Sequence, residues 1–193
     1  DFAHQRLKWG IKLGTVIRGG TVYGRRYPAR NKAKFPNLDC LAIWPDGDMR
    51  VYYSDEMTAD EYLEAGATDV LAFGPWLLRD GELNEKGLAK YGTSRAQRTA
   101  VGMVEKGHYW FMMLEGRIKR SKGDTVRFLA EKLQEKGCLT AFNLDGGDSA
   151  GIVFMGRQLN LVEDGKNHLS ARKTADILGV GTSELVRTMD DPW

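Results

Sequence analysis

Residues 139–149 read LTAFNLDGGDS. Leu139, Thr140, Ala141, Phe142 and Leu144 make an apolar run of buried-strand length, while Asn143, Asp145, Gly146, Gly147, Asp148 and Ser149 leave the core at once. A buried strand that delivers carboxylates onto a glycine turn puts polar groups where a ligand would stabilise them. Without Cβ, the two glycines can take φ > 0 and let the backbone approach a bound group, their N–H groups forming an anion-holding nest. A plain hairpin turn, with Asp145 and Ser149 satisfying backbone donors, fits the same residues.

Upstream of this stretch the spacing predicts one long helix, with Asp124 as N-cap, Val126, Leu129, Ala130 and Leu133 on one face, and Gly137 as the stop. Hairpins are expected around Gly19-Gly20, around Pro45–Asp48, between Arg98–Val104 and His108–Leu114, and around Gly156-Arg157. Thr58-Ala59-Asp60-Glu61 has the capping-box form for a short helix, Asn84–Tyr91 reads as a helical turn, and Thr174–Val180 as a closing strand. Strands outnumber helices and short glycine turns join most neighbours. The expected fold is therefore α+β, a mixed but mostly antiparallel sheet with a few packed helices, in a single domain over residues 1–193.

A chain of 193 residues with a formal charge of +2 has ordinary globular composition. Its basic residues cluster only at Arg25–Lys34 and Arg117–Lys122, which suit phosphates or a solvated face, and the near-neutral total argues against a nucleic-acid groove. No run is long and apolar enough for a membrane span. Cys40 and Cys138 lie in or beside apolar runs, where free buried thiols are the default, though a disulfide between them stays open. The three histidines show no ligand spacing, and the chain has no P-loop, Gly-x-Gly-x-x-Gly or Gly-x-Ser-x-Gly signature.

Candidate chemistry gathers where polar groups interrupt apolar segments. Arg98-Thr99 opens one strand, Gly74-Pro75 follows another, and Arg172 precedes the last. A guanidinium at a strand end is a rigid fork suited to phosphate or carboxylate, although an ion-paired surface arginine has the same sequence. If Arg98 meets the Asp145 loop, the site joins a cation, an amide nest and carboxylates. Such a site suits a sugar 1-phosphodiester, whose anomeric C–O bond breaks toward an oxocarbenium-like state while charge builds on the departing phosphate. Arg98 and the Gly146 and Gly147 amides would take that charge. Asp145 or Asp148 would stabilise the cationic carbon, attack it or activate water. The same two carboxylates make a weak oxygen site for a divalent cation; no other cofactor is expected.

The order Gly74-Pro75-Trp76-Leu77-Leu78-Arg79-Asp80-Gly81, then Arg98-Thr99-Ala100-Val101-Gly102, then the Glu115-Gly116-Arg117 turn with its helix, then Asn143-Leu144-Asp145-Gly146-Gly147-Asp148-Ser149, resembles the phosphodiester glycosidase family, to which the lysosomal uncovering enzyme belongs. The resemblance spans about Gly14 to Val180. It implies a glycosidase acting at the sugar C1–O bond of a glycosyl 1-phosphodiester; the expected substrate is a bacterial or phage envelope polymer, exopolysaccharide or related glycan. It also implies a pocket lined by Arg98, Thr99, Asn143, Asp145, Gly146, Gly147 and Ser149. Two departures stand out: Asp148 and Ala150 replace a glycine and a serine or threonine, and the family's asparagine-rich entry is missing or cut short before Asp1-Phe2-Ala3. An added charge could repel phosphate, recruit a cation or change the substrate. Two alternatives therefore remain, a non-catalytic glycan- or nucleotide-binding module and a metal-dependent phosphodiesterase. Compartment is not fixed; an extracellular or envelope-associated setting is the expectation.

Overall fold

Short apolar runs build most of the strands, and in the central ones the two faces are buried against different partners. The computed structural model describes residues 14–25, 38–90, 93–160, 174 and 177–181. Five strands form a first sheet: β1 (Val16–Arg18), β2 (Thr21–Gly24), β3 (Asp39–Ile43), β4 (Met49–Tyr52) and β5 (Asp69–Phe73), in the order β2-β1-β5-β3-β4. Five more form a second: β6 (Trp76–Arg79), β7 (Glu82–Leu83), β8 (Arg98–Glu105), β9 (His108–Leu114) and β10 (Thr140–Leu144), in the order β7-β6-β10-β8-β9. Every described pairing is antiparallel. The small hairpin β11 (Val153–Phe154) and β12 (Arg157–Gln158) stands apart.

The helices are α1 (Ala59–Glu64), α2 (Glu85–Lys90) and α3 (Val126–Glu135). The capping box at Thr58 forms as the sequence predicts: Glu61 N–H donates to the Thr58 hydroxyl, and Thr58 N–H to the Glu61 carboxylate at 2.7 Å. The cap of α3 falls one residue later than expected. Asp124 is held by a two-way backbone bridge to Ala96, so Thr125 becomes the N-cap and accepts from Phe128 N–H at 3.2 Å. Leu139 is 53% exposed, so the buried strand starts at Thr140. Residues 174 and 177–180 carry no strand.

Three apolar layers follow from the alternation. Cys40 and Ala42 of β3 pack with Val16, Val70 and Ala72 against Ala59 and Tyr62, placing α1 on the outer face of the first sheet. On β10, Ala141 packs with Leu77, Ala100, Val126, Leu129, Ala130 and Leu133, placing α3 on the outer face of the second. Leu41, Met49 and Val51 meet Trp76, Val101, Met103 and Phe142 between the sheets. The result is helix, sheet, sheet, helix. Gly102 permits the last contact, since a Cβ there would lie 2.7 Å from Cys138 Sγ and 3.0 Å from Leu133. Burying each of the four apolar α3 side chains contributes about 1–3 kcal/mol.

Candidate active site

The central strand β10 sets the geometry. Its partner β8 runs antiparallel, pairing Asn143 with Ala100 and Leu144 with Thr99, so the chain leaves β10 beside the point where β8 begins. Arg98 and the Asp145 loop, far apart in sequence, therefore meet. Gly147 N–H donates to the Gln97 carbonyl at 3.0 Å, and a Cβ on Gly146 would sit 2.7 Å from that oxygen and 3.5 Å from the Arg98 Cα. The turn itself is a single 3-10 turn over Gly147–Ser149, closed by Ser149 N–H to Gly146 and Ala150 N–H to Gly147, each 3.1 Å, rather than a hairpin. Gly147 stands at φ 59°, a conformation that favours glycine.

The amide nest is engaged from within. Gly146 N–H donates to the Asp145 carboxylate at 2.9 Å, and Gly147 N–H is held by Gln97. Arg98 is likewise turned inward. Its guanidinium donates to the Ser94 carbonyl at 2.6 Å and the Asp124 carbonyl at 3.4 Å. Burial first, and the Arg117 charge second, pull the Arg98 pKa below its ordinary value.

Arg117 takes the position that the sequence suggests for Arg98. Its guanidinium lies 3.4 Å from where a Gly147 Cβ would be and 3.8 Å from the Asp148 carboxylate, with half of the side chain exposed. Its backbone is left-handed at φ 55°, uncommon for a residue with a Cβ and held here by the surrounding loop. In that loop Ile118 and Ser121 bridge, Ser121 Oγ donates to the Glu115 carbonyl at 2.7 Å, and Arg120 clamps the Glu115 carboxylate at 2.7 Å. Gly116 and Gly123 press the loop onto Ala96 and Gln97, leaving no room for a Cβ at either. The sequence signal for Arg117 was the small basic cluster and the Glu-Gly-Arg turn.

The remaining candidates do not all share one face. By register Arg98 and Asn143 lie on the α3 side of the sheet, while Thr99 and Leu144 lie on the side facing the other sheet. Asn143 donates to the Gly74 carbonyl at 2.8 Å, locking the cis Gly74-Pro75 bend to β10. Arg172 lies outside the described residues. Around the junction, Gln97 Nε2 and Oε1, Thr99 Oγ, Asn143 Oδ1 and Ser149 Oγ are buried with no hydrogen-bond partner among the described residues. Orphaned polar atoms are ordinarily scarce in a protein interior, and several at one junction mark a place where a ligand or water completes the structure. Among the described residues, no third His, Cys, Asp or Glu joins Asp145 and Asp148 in a metal-holding group.

A family model described as phosphodiester glycosidase matches residues 2–181. The SPbeta prophage-derived uncharacterized protein YomE of Bacillus subtilis (strain 168) is 30% identical over 158 residues, covering 81% of this chain and 24% of YomE. The N-acetylglucosamine-1-phosphodiester alpha-N-acetylglucosaminidase of Bos taurus is 29% identical over 166 residues, 78% of this chain and 30% of the bovine protein. The chain thus spans about a quarter of YomE and under a third of the bovine protein. The zebrafish N-acetylglucosamine-1-phosphodiester alpha-N-acetylglucosaminidase catalytic domain has the same fold, with a TM-score of 0.62 at 24% identity, over 87% of this chain and 56% of that one.

Proposed function

We propose, since the chain belongs to the phosphodiester glycosidase family, that it hydrolyses the sugar C1–O bond of a glycosyl 1-phosphodiester, with an envelope polymer or related glycan as substrate. The observation that carries this reading is the Arg117 guanidinium at the acidic glycine turn. Arg117 is half exposed beside Gly147 and Asp148, while Arg98 starts the neighbouring strand with its guanidinium held by the Ser94 and Asp124 carbonyls. An exposed cation at this turn suits an anion that gains charge as its bond to carbon breaks. In this scheme the C1–O bond breaks with its electron pair going to the phosphate oxygen, and Arg117 meets that charge while the buried Arg98 reinforces the field. Asp145 stabilises the electron-poor carbon, attacks it or activates water. Water finally supplies hydroxyl to C1, and its proton leaves to solvent. The products are a free reducing sugar and a phosphate monoester on the aglycone.

Arg117→Ala should lower kcat/KM by roughly a hundredfold or more, and Asp145→Asn by roughly 10²–10⁴-fold, while the fold persists by circular dichroism. The decisive measurement is product analysis on a panel of sugar 1-phosphodiesters. A sugar 1-phosphate among the products would mean cleavage at phosphorus, the metal-dependent alternative, and would overturn the scheme. A second reading, binding without turnover, draws on Asp148: its carboxylate lies 3.8 Å from Arg117 and competes with an incoming phosphate. Tight binding of a diester with no reducing sugar released would support it.

A further inference from the structure

Gln97 has no part in the scheme above, yet it is the least satisfied polar side chain at the junction. It is fully buried, at 0% exposure, and both atoms of its amide lack a partner among the described residues. Its backbone is wedged between two loops: the carbonyl holds Gly147 N–H, and a Cβ on Gly116 would lie 2.7 Å from its nitrogen. Thr99, two positions on and therefore toward the same side of an extended chain, also buries a hydroxyl without a partner, as does Ser149 in the turn above. A closed amide with neither its donor nor its acceptor used has given up its water without replacement, which is unfavourable.

The chemistry of the amide says what would satisfy it. Phosphate accepts only and would leave Oε1 bare beside another oxygen, and a cation would leave Nε2 without an acceptor. A hydroxyl, of a sugar as of water, both donates and accepts. We propose that Gln97 is a sugar-recognition residue, whose side-chain amide takes a hydroxyl of the glycosyl group when the Gly146–Ser149 turn shifts to admit it. This rests on the glycosidase reading of the same site. It assigns the phosphate end to Arg117 and the sugar end to Gln97, with Thr99 and Ser149 as neighbouring partners. Gly146 and Gly147 carry no side chain that would resist such a shift, which must loosen the Gly147 N–H bond to the Gln97 carbonyl.

The test titrates inorganic phosphate and a panel of hexose 1-phosphates into the parent chain, Gln97→Leu and Gln97→Met by calorimetry, with thermal melts alongside. Either variant should bind the preferred hexose 1-phosphate roughly tenfold more weakly, the loss of one well-formed hydrogen bond. Inorganic phosphate affinity should be unchanged, and the melting temperature equal or higher because an unsatisfied amide has gone. Met keeps the length of the side chain should Leu fail to fold. Unchanged hexose 1-phosphate affinity, an equal loss for inorganic phosphate, a lowered melting temperature in both variants, or a parent that binds no hexose 1-phosphate would each overturn the assignment. The two readings separate cleanly: a parent that binds hexose 1-phosphate but cleaves no diester removes the hydrolase and leaves Gln97 standing. A parent that cleaves diesters with KM unaltered in both variants does the reverse.

Discussion

Asp39 opens β3 with its carboxylate against the Gly74-Pro75 bend, where the chain crosses from one sheet to the other. The carboxylate accepts Trp76 N–H at 3.1 Å, and burial pushes its pKa up to about 6. The Trp76 bond and the nearby Arg79 charge oppose that rise, and Glu56 and Asp55 add to it. An unfolded Asp titrates near 3.9, so between about pH 4 and pH 6 the folded chain holds the extra proton, and stability falls as pH rises through that window. Asp39→Asn keeps an acceptor for Trp76 and removes the charge. It should stabilise the protein by on the order of 2 kcal/mol at pH 8, with the difference gone below about pH 4, read from urea denaturation at a series of pH values. Residue roles were the least legible part of the sequence. Arg98 at a strand start looks like the anion fork, but the carbonyls of Ser94 and Asp124 claim it, contacts made only once the loop before β8 and the start of α3 are brought together. Arg117 reads as surface charge until the loop around it is folded.

Among the elements, those built from neighbours in sequence were readable. The β3–β4 and β8–β9 hairpins, the Thr58 capping box and the apolar face of α3 all depend on contacts within a few residues, and all form as expected. The insertion of β10 between β6 and β8 depends on partners distant in the chain and left no local trace. The start of α3 shifted for a comparable reason, since the Ala96 bridge that claims Asp124 comes from outside the helix. Gly123, two residues before the cap, stands at φ 76° with the Ala96 carbonyl only 2.2 Å from where its Cβ would be. Gly123→Ala is expected to destabilise by about 2–4 kcal/mol and to disturb the loop that carries Arg117, whereas Thr125→Ala should lose only about 1 kcal/mol as a missing cap. Chemical denaturation of the two variants side by side checks the order; a Gly123→Ala chain as stable as Thr125→Ala would reject the close approach.

At the scale of the whole molecule, the α+β class and the antiparallel preference could be read from composition and turns, but the division of the strands into two facing sheets could not. Central strands such as β3 and β10 are buried on both faces, so their apolar residues run together and lose the alternation that would say which side each faces. Interdigitation of Leu41 and Val51 with Val101 and Phe142 joins the two halves, so they should unfold together. The two free cysteines make that cooperativity measurable. Cys40 is buried under α1 and Cys138 under α3, and burial raises both thiols to about 11. Each is a silent stopwatch, started by an alkylating reagent only when its own outer layer peels away. Pulsed alkylation read peptide by peptide should find both running at one rate; a faster clock on either side would show that half of the sandwich breathing alone.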